Sequence, residues 1–462
     1  MNTNRQLGTV TSSLSKSTEK LSSGYKINRA ADDAAGLSIS EKMRKQIRGL
    51  DQASSNAQDG VSSVQTAEGA LTEVHSMLQR MNELATQAAN GTNSADDRSA
   101  IQDEVDQLTT EIDRVAETTK FNEIYLLKGD DSSTKNVYMK GHDAGLKGSL
   151  TDGAKTATFM MDTLKEGDQY TIAGKEYTIG SAQGDLEALI DKADKELTAA
   201  AAGTKDVEID GKKYTLTYKA GGNTIADADG NAVADLATLK GKIAAGSKVT
   251  YGNTTLTAMN DVNGDGVDDD DDSIITTAVA KSKIKAELVT ANNIGTTDHA
   301  ATVADGVDDA AGKTSYTITK GYATVANTLS FNLHVGADAD MTNKINVSID
   351  TMNSSNLGIK NLNVTDGTGT AATYAIDAIA DAVSKVSSQR SALGAVQNRL
   401  EHTIDNLDNI SENTSSAESR IRDTDMAKEM VNYSKNNILA QAGQSMLAQA
   451  NQSNQGVLSL LP

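Results

Sequence analysis

The chain has 462 residues, a formal net charge of −20 and an aromatic content of only 3%. This acidic balance argues against nucleic acid or an anionic membrane surface as the main partner. The absence of cysteine excludes disulfides and thiol chemistry. The single proline is Pro462, so no proline interrupts a helix in the body of the chain, and long unbroken helices are possible.

The first residues, MNTNRQLGTVTSSLSKS, lack the basic and then apolar run of a cleaved secretory signal. No run of about 18 apolar residues is present that could span a membrane. We therefore expect no membrane insertion. If the protein leaves the cell, we expect an export route that does not read a cleaved signal.

Residues 1–45 carry a sparse apolar stripe in a segment rich in Ser and Asn. Such a stripe buries too little apolar surface to offset the entropy of ordering the chain. We therefore expect this segment to be disordered in the monomer and to become helical when it meets a partner. The side chains expected to make that contact are Leu7, Val10, Leu14 and Leu21.

Residues 46–128 carry a heptad pattern. One apolar series steps by seven from Leu50 to Ala85, and a second follows three residues behind it, from Ala53 to Ala88. Alternating steps of three and four sustained this long are typical of a coiled-coil seam. The sequence NGTNS at 90–94 should end this helix, and the pattern resumes at 101–115. A helical hairpin is therefore predicted as the N-terminal part of a bundle domain.

Residues 129–327 differ in texture, with many Gly, Thr, Ala and Asp residues and short alternating runs typical of strands. The runs at 170–179 and 207–218 each indicate a β-hairpin, with turns around Gly174 and Gly211. We predict a β-rich insertion of up to two subdomains.

Three segments complete the chain. In residues 328–372, LSFNLHV and INVSI indicate a β-hairpin that returns the chain to the bundle. Residues 373–420 carry a third heptad seam, and since each stripe is too narrow to be stable alone, the three seams should bury one another. Residues 421–462 are also amphipathic and should become helical when they meet a partner. Their expected contact residues are Ile438, Ala442, Met446, Leu447, Leu458 and Leu461.

The predicted fold class is accordingly α+β multidomain. Mainly α ends form an elongated antiparallel coiled-coil bundle, and a β-rich region is inserted between them.

The sequence DVNGDGVDDDDD at 261–272 has the spacing of a calcium loop, with Gly266 in the sixth place, where such a loop turns sharply. The alternative is an acidic turn in water, because blocks of like charge are usually solvated. Calcium is the one cofactor that the sequence suggests, in a structural role. The side chains that would bind it are Asp261, Asn263, Asp265, Asp269 and Asp272.

No catalytic pattern is present. The five histidines are scattered, none lies in an H-E-x-x-H sequence, and paired carboxylates carry no information in so acidic a chain. We therefore expect a protein that is not an enzyme.

The flanks of the seams resemble a known family. The sequence LSSGYKINRAADDAAGLSISEKMRKQIRGL at 21–50 closely resembles the N-terminal signature of bacterial flagellins, and residues 388–431 resemble the C-terminal one. The ending ILAQAGQSMLAQANQSNQGVLSLLP is similar to the flagellin terminus. The resemblance covers residues 1–128 and 373–462.

This resemblance implies a structural subunit that self-assembles into the helical bacterial flagellar filament for swimming motility, secreted to the extracellular flagellum. It implies that residues 1–45 and 421–462 are the N-terminal and C-terminal polymerisation helices of an inner core, and that residues 129–327 are a variable insertion exposed on the surface. The implied partners are further copies of the chain in an open helical homopolymer, an export chaperone and the type III export apparatus, the filament cap and hook-associated proteins. Two alternatives stay open: a hook–filament junction protein, and a calcium-stabilised binding module displayed on a filament scaffold.

Residues 78–105 resemble the patch on flagellins that vertebrate Toll-like receptor 5 recognises, and Arg80, Leu84 and Glu104 match the positions implicated there. Leu84 lies one position before the seam residue Ala85, so we expect it to be exposed. The alternative is that Arg80 and Glu104 are ordinary solvated charges of the bundle and that Leu84 is a packing residue.

Overall fold

The computed structural model describes residues 2–295 and 298–458. The α-helices in these residues are α1 (Asn2–Ser23), α2 (Ala34–Ala88), α3 (Ala95–Thr118), α4 (Gln183–Ala200), α5 (Leu236–Lys240), α6 (Thr277–Asn293), α7 (Ser354–Leu357), α8 (Thr370–Arg422) and α9 (Met426–Leu458). The β-strands are β1 (Lys120–Phe121), β2 (Ile124–Tyr125), β3 (Asp130–Tyr138), β4 (Ser149–Asp152), β5 (Thr156–Asp162), β6 (Gln169–Ile172), β7 (Lys175–Ile179), β8 (Thr204–Ile209), β9 (Lys212–Thr217), β10 (Thr224–Asp227), β11 (Ala232–Val233), β12 (Lys248–Tyr251), β13 (Thr254–Thr257), β14 (Ile274–Ile275), β15 (Thr302–Val303), β16 (Val307–Asp308), β17 (Lys313–Thr319), β18 (Tyr322–Asn327), β19 (Leu329–His334) and β20 (Lys344–Ile349).

The chain divides into two compact units. The first consists of Met1–Thr66, Ser330–Ser348 and Ser391–Pro462, and the second of Ala67–Leu329 and Ile349–Arg390. The mainly α ends and the β-rich centre confirm the predicted fold class.

The heptad positions of α2 are buried throughout. Every residue of the two predicted series, from Leu50 to Ala85 and from Ala53 to Ala88, is buried in the structure. On α8, Ile379, Val386, Leu393, Leu400 and Leu407 are buried in the same way. The coiled-coil interpretation of both helices is therefore confirmed.

Within the first unit, the β19–β20 hairpin packs on α2 and α8, and the hairpin predicted from LSFNLHV and INVSI is confirmed. Val335 and Ile345 from the hairpin region form one apolar cluster with Ala57 and Leu400. The closest approach occurs at Gly60, where an added Cβ would lie 2.2 Å from Cδ1 of Leu333. A residue without a side chain is therefore what lets the hairpin reach the helix.

Residues 1–45 do not form the one helix that the sequence predicted. Helix α1 ends at Ser23, Gly24 takes a left-handed φ of 78°, and α2 begins only at Ala34. The carboxylate of Asp32 accepts backbone hydrogen bonds from Asn28 and Arg29. This local bonding competes with helix formation and explains the break. The boundaries predicted further along the chain stay predictions.

Within the second unit, α3 begins as the sequence predicted. Ser94 is the N-cap, and its side chain and that of Asp97 form a reciprocal capping box. Arg98, one position further, is only 3% exposed. Its guanidinium donates to the carbonyl oxygens of Ala88 and Gly367, so it ties the end of α2 to the segment before α8.

The inserted region has two apolar cores, both within the second unit. In one, α6 packs with strands β5, β6, β7 and β17. In the other, α4 packs on a six-stranded sheet of order β11-β10-β9-β8-β12-β13. The two predicted hairpins are confirmed as β6–β7 and β8–β9. Their turns use positive φ at Gly174 and Gly211, as tight two-residue turns require.

The chain enters the inserted region through β3 and leaves it through β18, and these two strands pair with each other. Strands β3 and β18 are antiparallel, and Tyr138 lies opposite Tyr322. The two tyrosine rings are 5.3 Å apart between centroids.

Candidate assembly surface

The terminal helices α1 and α9 pack against each other within the first unit. Their contact is close, because an added Cβ at Gly443 would lie 3.1 Å from Cδ1 of Leu7. Ser17 and Ala440 are the buried positions on this pair, so small side chains form the contact. The other predicted α1 residues, like Leu7, are half-buried: Val10, Leu14 and Leu21.

Helix α9 has an apolar face that no other residue described by the structure covers. Ile438 is 65% exposed and Met446 is 64% exposed, while Ala442 is exposed and Leu447 half-buried. The side chain of Leu458 and all of Leu461 lie outside what the structure describes. In the described part of the chain, no helix has both the length and the apolar character needed to cross a membrane.

Two further α9 residues belong to this face and were missed from the sequence. Val431 is 68% exposed and Leu439 is 44% exposed. The signal was available, since Val431 and Ile438 are seven positions apart, as are Leu439 and Met446. A seven-residue step keeps residues on one side of a helix.

Both terminal segments are helical in this structure, whereas the sequence predicts disorder in the isolated monomer. Each helix supplies the other with part of the apolar surface it lacks, but within residues 2–295 and 298–458 the exposed face of α9 has no partner. Most helical stability in proteins comes from packing of such a face. Disorder of the lone monomer in solution stays a prediction.

The links that lead into the two terminal helices are joined to each other. The amide of Lys26 donates to the carbonyl of Arg422 at 2.6 Å, and that of Thr424 donates to the carbonyl of Gly24 at 2.9 Å. Arg422 also pairs with Glu41 at 2.7 Å, and this hydrogen bond holds the pKa of the Glu41 carboxyl below its usual value. The entry points of α1 and α9 are thereby fixed together.

The structure brings together two of the three residues matched to the receptor patch. Arg80 Nε lies 2.9 Å from Glu104 Oε1, and both side chains are about half exposed, at 51% and 43%. The hydrogen bond that Arg80 donates to Glu104 raises the pKa of Arg80. The pair therefore forms an ion pair on the surface of the α2–α3 hairpin.

Leu84 is only 2% exposed, so the expectation that it is exposed was wrong. It lies three residues after Met81 and four before Ala88, and both of these seam residues are fully buried. Residues three and four apart share a helix face, which places Leu84 with the core. In this conformation the alternative interpretation of Leu84 as a packing residue is the correct one.

The side chains predicted to bind calcium do not converge. Asp261 accepts hydrogen bonds from the backbone amides of Gly264, Asp265 and Gly266, at 2.7 to 3.1 Å. Asp272 is turned to Lys175 and pairs with it at 2.8 Å. Within residues 2–295 and 298–458, no three His, Asp or Glu side chains are grouped so that they could hold a metal ion.

The other carboxylates of the loop are also used by its own donors. Asp269 accepts from the amide of Val262 and from the side chain of Asn263, and Asp265 accepts from the amide of Val267. Asp268, which is not at a predicted ligand position, is 4% exposed and accepts backbone hydrogen bonds that close the turn. As arranged, these residues do not fit a calcium site, and the loop is held by amides.

Comparison with known proteins supports the pattern of the two ends. Residues 1–132 match the family model of the bacterial flagellin N-terminal helical region, and residues 376–461 match that of the C-terminal helical region. The chain is 40% identical over 456 residues to a flagellin of Clostridium tyrobutyricum, covering 98% of this chain and 97% of the relative. It is 35% identical over 463 residues to a flagellin of Bacillus subtilis strain 168, covering 100% and 97%.

Solved structures give more distant matches. FliC from Burkholderia pseudomallei is 21% identical, with a TM-score of 0.27, covering 74% of this chain and 99% of that one. Hook associated protein-3 from Legionella pneumophila is 15% identical, with a TM-score of 0.33, covering 82% and 98%.

Proposed function

Because this chain belongs to the bacterial flagellin family and is a subunit of the extracellular flagellar filament, we propose that the uncovered apolar face of α9 is the surface through which its copies join. Flagellins are a structural protein family. The relatives that match over the full length are filament proteins at 33% to 40% identity, which favours a filament subunit over a hook–filament junction protein. The calcium-stabilised binding module loses support, because its ligands do not converge.

The observation that carries the proposal is the exposure of large apolar side chains on a helix that already has one partner. Ile438 and Met446 are each about two-thirds exposed although α1 packs on the same helix. Burying such a side chain contributes roughly 1.5–3 kcal/mol. A contact between two different surfaces of the same chain generates an open helical fibre when the rotation from one copy to the next does not close into a ring.

The experiment compares charged substitutions at exposed positions of α9. Ile438→Asp and Met446→Asp should leave the monomer folded, because neither side chain is buried in it. Each should raise the critical concentration for polymerisation by at least about tenfold, which corresponds to about 1.4 kcal/mol. Gln441→Asp is the matched control, since it adds the same charge at an exposed polar position of the same helix. Sedimentation of filaments gives the critical concentration, and equal values for Ile438→Asp and Gln441→Asp would overturn the proposal.

We further propose that the chain leaves the cell through the flagellum's type III export apparatus with an export chaperone, and that the filament cap and hook-associated proteins contact it in the filament. Family membership supports this proposal. Cells that lack the export apparatus should retain the chain, and its secretion from such cells would contradict the proposal.

We also propose that the Arg80–Glu104 pair is a contact for Toll-like receptor 5 in a vertebrate host. Its half-exposed charges support the proposal, whereas buried Leu84 would act by holding the helix pair in shape. Arg80→Ala should weaken activation of receptor-bearing reporter cells by the monomer. Arg114→Ala is the control, because Arg114 forms a comparable surface ion pair with Glu111. Equal activity of the two variants would contradict the proposal.

A further inference from the structure

A cleft of about 380 Å³ lies within the second unit, beside β3, the segment that follows β20, and α8. Its lining contains three lysines in a chain that is otherwise strongly acidic. Five charged groups line the cleft: Lys135, Lys140, Lys385, Asp350 and Asp381.

Two of the lysines are neutralised by carboxylates. Lys135 Nζ lies 2.7 Å from Asp350 Oδ1, and Lys140 Nζ lies 2.7 Å from Asp381 Oδ1. The other carboxylate oxygen of Asp381, Oδ2, lies 3.7 Å from His142 Nε2. Both carboxylates are therefore already engaged by other cations.

Lys385 differs from its neighbours. Among the residues that the structure describes, it forms no ion pair, and its Nζ donates to the backbone carbonyl oxygen of Asn356 at 2.7 Å. An ammonium group carries three donors. The amine is thus anchored at one point beside a cleft, between two ion pairs that do not include it.

The surroundings favour the neutral form of this amine. Burial lowers the pKa of Lys385, and the neighbouring cations Lys140 and Lys135 lower it further, while Asp381 and Asp350 oppose the shift. Only the neutral amine is a nucleophile, and an ordinary lysine is about 0.1% neutral near pH 7.4. The lowered pKa therefore gives Lys385 a larger neutral fraction at neutral pH than an ordinary surface lysine has.

We propose that Lys385 is a selective acylation site whose substrates are small acyl phosphates. The lone pair of Nζ attacks the acyl carbon and a C–N bond forms. The bond between the acyl carbon and the bridging oxygen breaks, and that oxygen stays on phosphorus. The phosphate leaves with the electron pair of that bond, and the nitrogen releases its extra proton to water. Lys135 gives two of its three N–H donors to Asp350 and Thr328, and Lys140 gives one to Asp381. The remaining donors of these two ammonium groups line the cleft and can hydrogen-bond the phosphate.

The product is compatible with the fold. A secondary amide keeps one N–H, so acylated Lys385 can still donate to the carbonyl of Asn356. The added group would occupy the adjacent cleft, and one positive charge would be removed from the cluster.

The test uses the full native chain and acetyl phosphate as the probe. Initial acetylation rates at each lysine are measured by peptide mass spectrometry between about pH 7 and pH 9.5, a range below the ordinary lysine pKa. At neutral pH, Lys385 should react several-fold faster than Lys213, which is exposed and lies outside the cleft, and the rate at Lys385 should level off at a lower pH. A rate at Lys385 equal to or below that at Lys213 would overturn the proposal and show that burial shields the amine.

Two further measurements test whether the reactivity of Lys385 depends on the folded cleft and on its charged neighbours. In urea the advantage of Lys385 should disappear, and its persistence there would overturn the role of the cleft. Asp381→Asn removes a carboxylate that favours protonated Lys385, so the rate at Lys385 should rise while that at Lys213 stays unchanged. An unchanged or lower rate at Lys385 in a variant that melts like the parent protein would also overturn the proposal.

Discussion

The guanidinium carbon of Arg422 lies 4.8 Å from the centre of the Tyr25 ring, although 397 positions separate the two residues (422 − 25). Arg422 also pairs with Glu41, and its side chain is only 14% exposed. A cation over an aromatic face contributes roughly 0.5–1 kcal/mol or more, depending on desolvation. These contacts join the two links that lead into the terminal helices.

Arg422→Ala should loosen those links. We expect faster amide hydrogen exchange at Lys26 and Thr424, whose backbone hydrogen bonds cross between the two links. Arg420→Ala is the control, because Arg420 is an exposed arginine in the same last turn of α8. Unchanged exchange in Arg422→Ala would show that the backbone hydrogen bonds hold the links without the side chain.

Gly60→Ala and Gly69→Ala on α2 should have different effects on stability. Replacing an exposed helical glycine by alanine stabilises by about 1 kcal/mol, and nothing lies within 4 Å of a Cβ added at Gly69. A Cβ added at Gly60 would meet Leu333, and overpacking costs about 1–3 kcal/mol. Urea unfolding should therefore find Gly60→Ala less stable than Gly69→Ala by about 1–3 kcal/mol. Equal stabilisation by both substitutions would mean that Leu333 and its hairpin move away from the added methyl group at no cost in free energy.

Acid should reduce the contribution of the Asp350 carboxylate to the stability of the folded protein. Burial raises the pKa of Asp350, but hydrogen bonds from Lys135 and Thr328 outweigh this effect and leave it below the ordinary value. A lowered folded-state pKa contributes stability above the unfolded pKa, near 4, and that stability is lost as the pH falls through the folded value. Asp350→Asn should therefore cost about 1 kcal/mol at neutral pH, allowing for screening by solvent, and progressively less below about pH 4.

The measurement for Asp350 is urea unfolding of the parent and the variant at several pH values. Asp131→Asn is the control, because Asp131 also pairs with a lysine but is 62% exposed. A difference between parent and Asp350→Asn that does not shrink in acid would contradict the assignment.

Calcium should not stabilise the protein. The carboxylates of Asp261 and Asp269 are occupied by donors from their own loop, and Asp272 pairs with Lys175. We expect the melting temperature of the full chain to be the same with millimolar calcium and with a chelator. A saturable rise that Asp261→Asn abolishes and Asp270→Asn preserves would show instead that the loop rearranges around the ion.

Periodic features of this chain could be predicted from sequence, and contacts between distant segments could not. The heptad positions from Leu50 to Ala85 repeat locally, so their burial follows from helix geometry alone. The turns at Gly174 and Gly211 are equally local. Arg98, by contrast, can be buried because its guanidinium donates a hydrogen bond to the carbonyl oxygen of Gly367, which is 269 positions away in the sequence.

The candidate site shows the same division. The apolar face of α9 follows a seven-residue step and was largely predicted, whereas the burial of Leu84 depends on how wide the packed stripe of α2 becomes. The spacing at 261–272 suggested a calcium loop or an acidic turn, but it does not determine the backbone geometry, and that geometry decides which amides donate to the carboxylates.

The pairing of β3 with β18 bears on how this protein can diverge. Because Tyr138 and Tyr322 are partners across one strand pair, the intervening stretch begins and finishes at the same place. We therefore expect that this stretch can be shortened, enlarged or replaced without disturbing the strand pair that closes it. Foreign epitopes grafted between these two tyrosines should accordingly be displayed in many copies along a swimming cell's propeller.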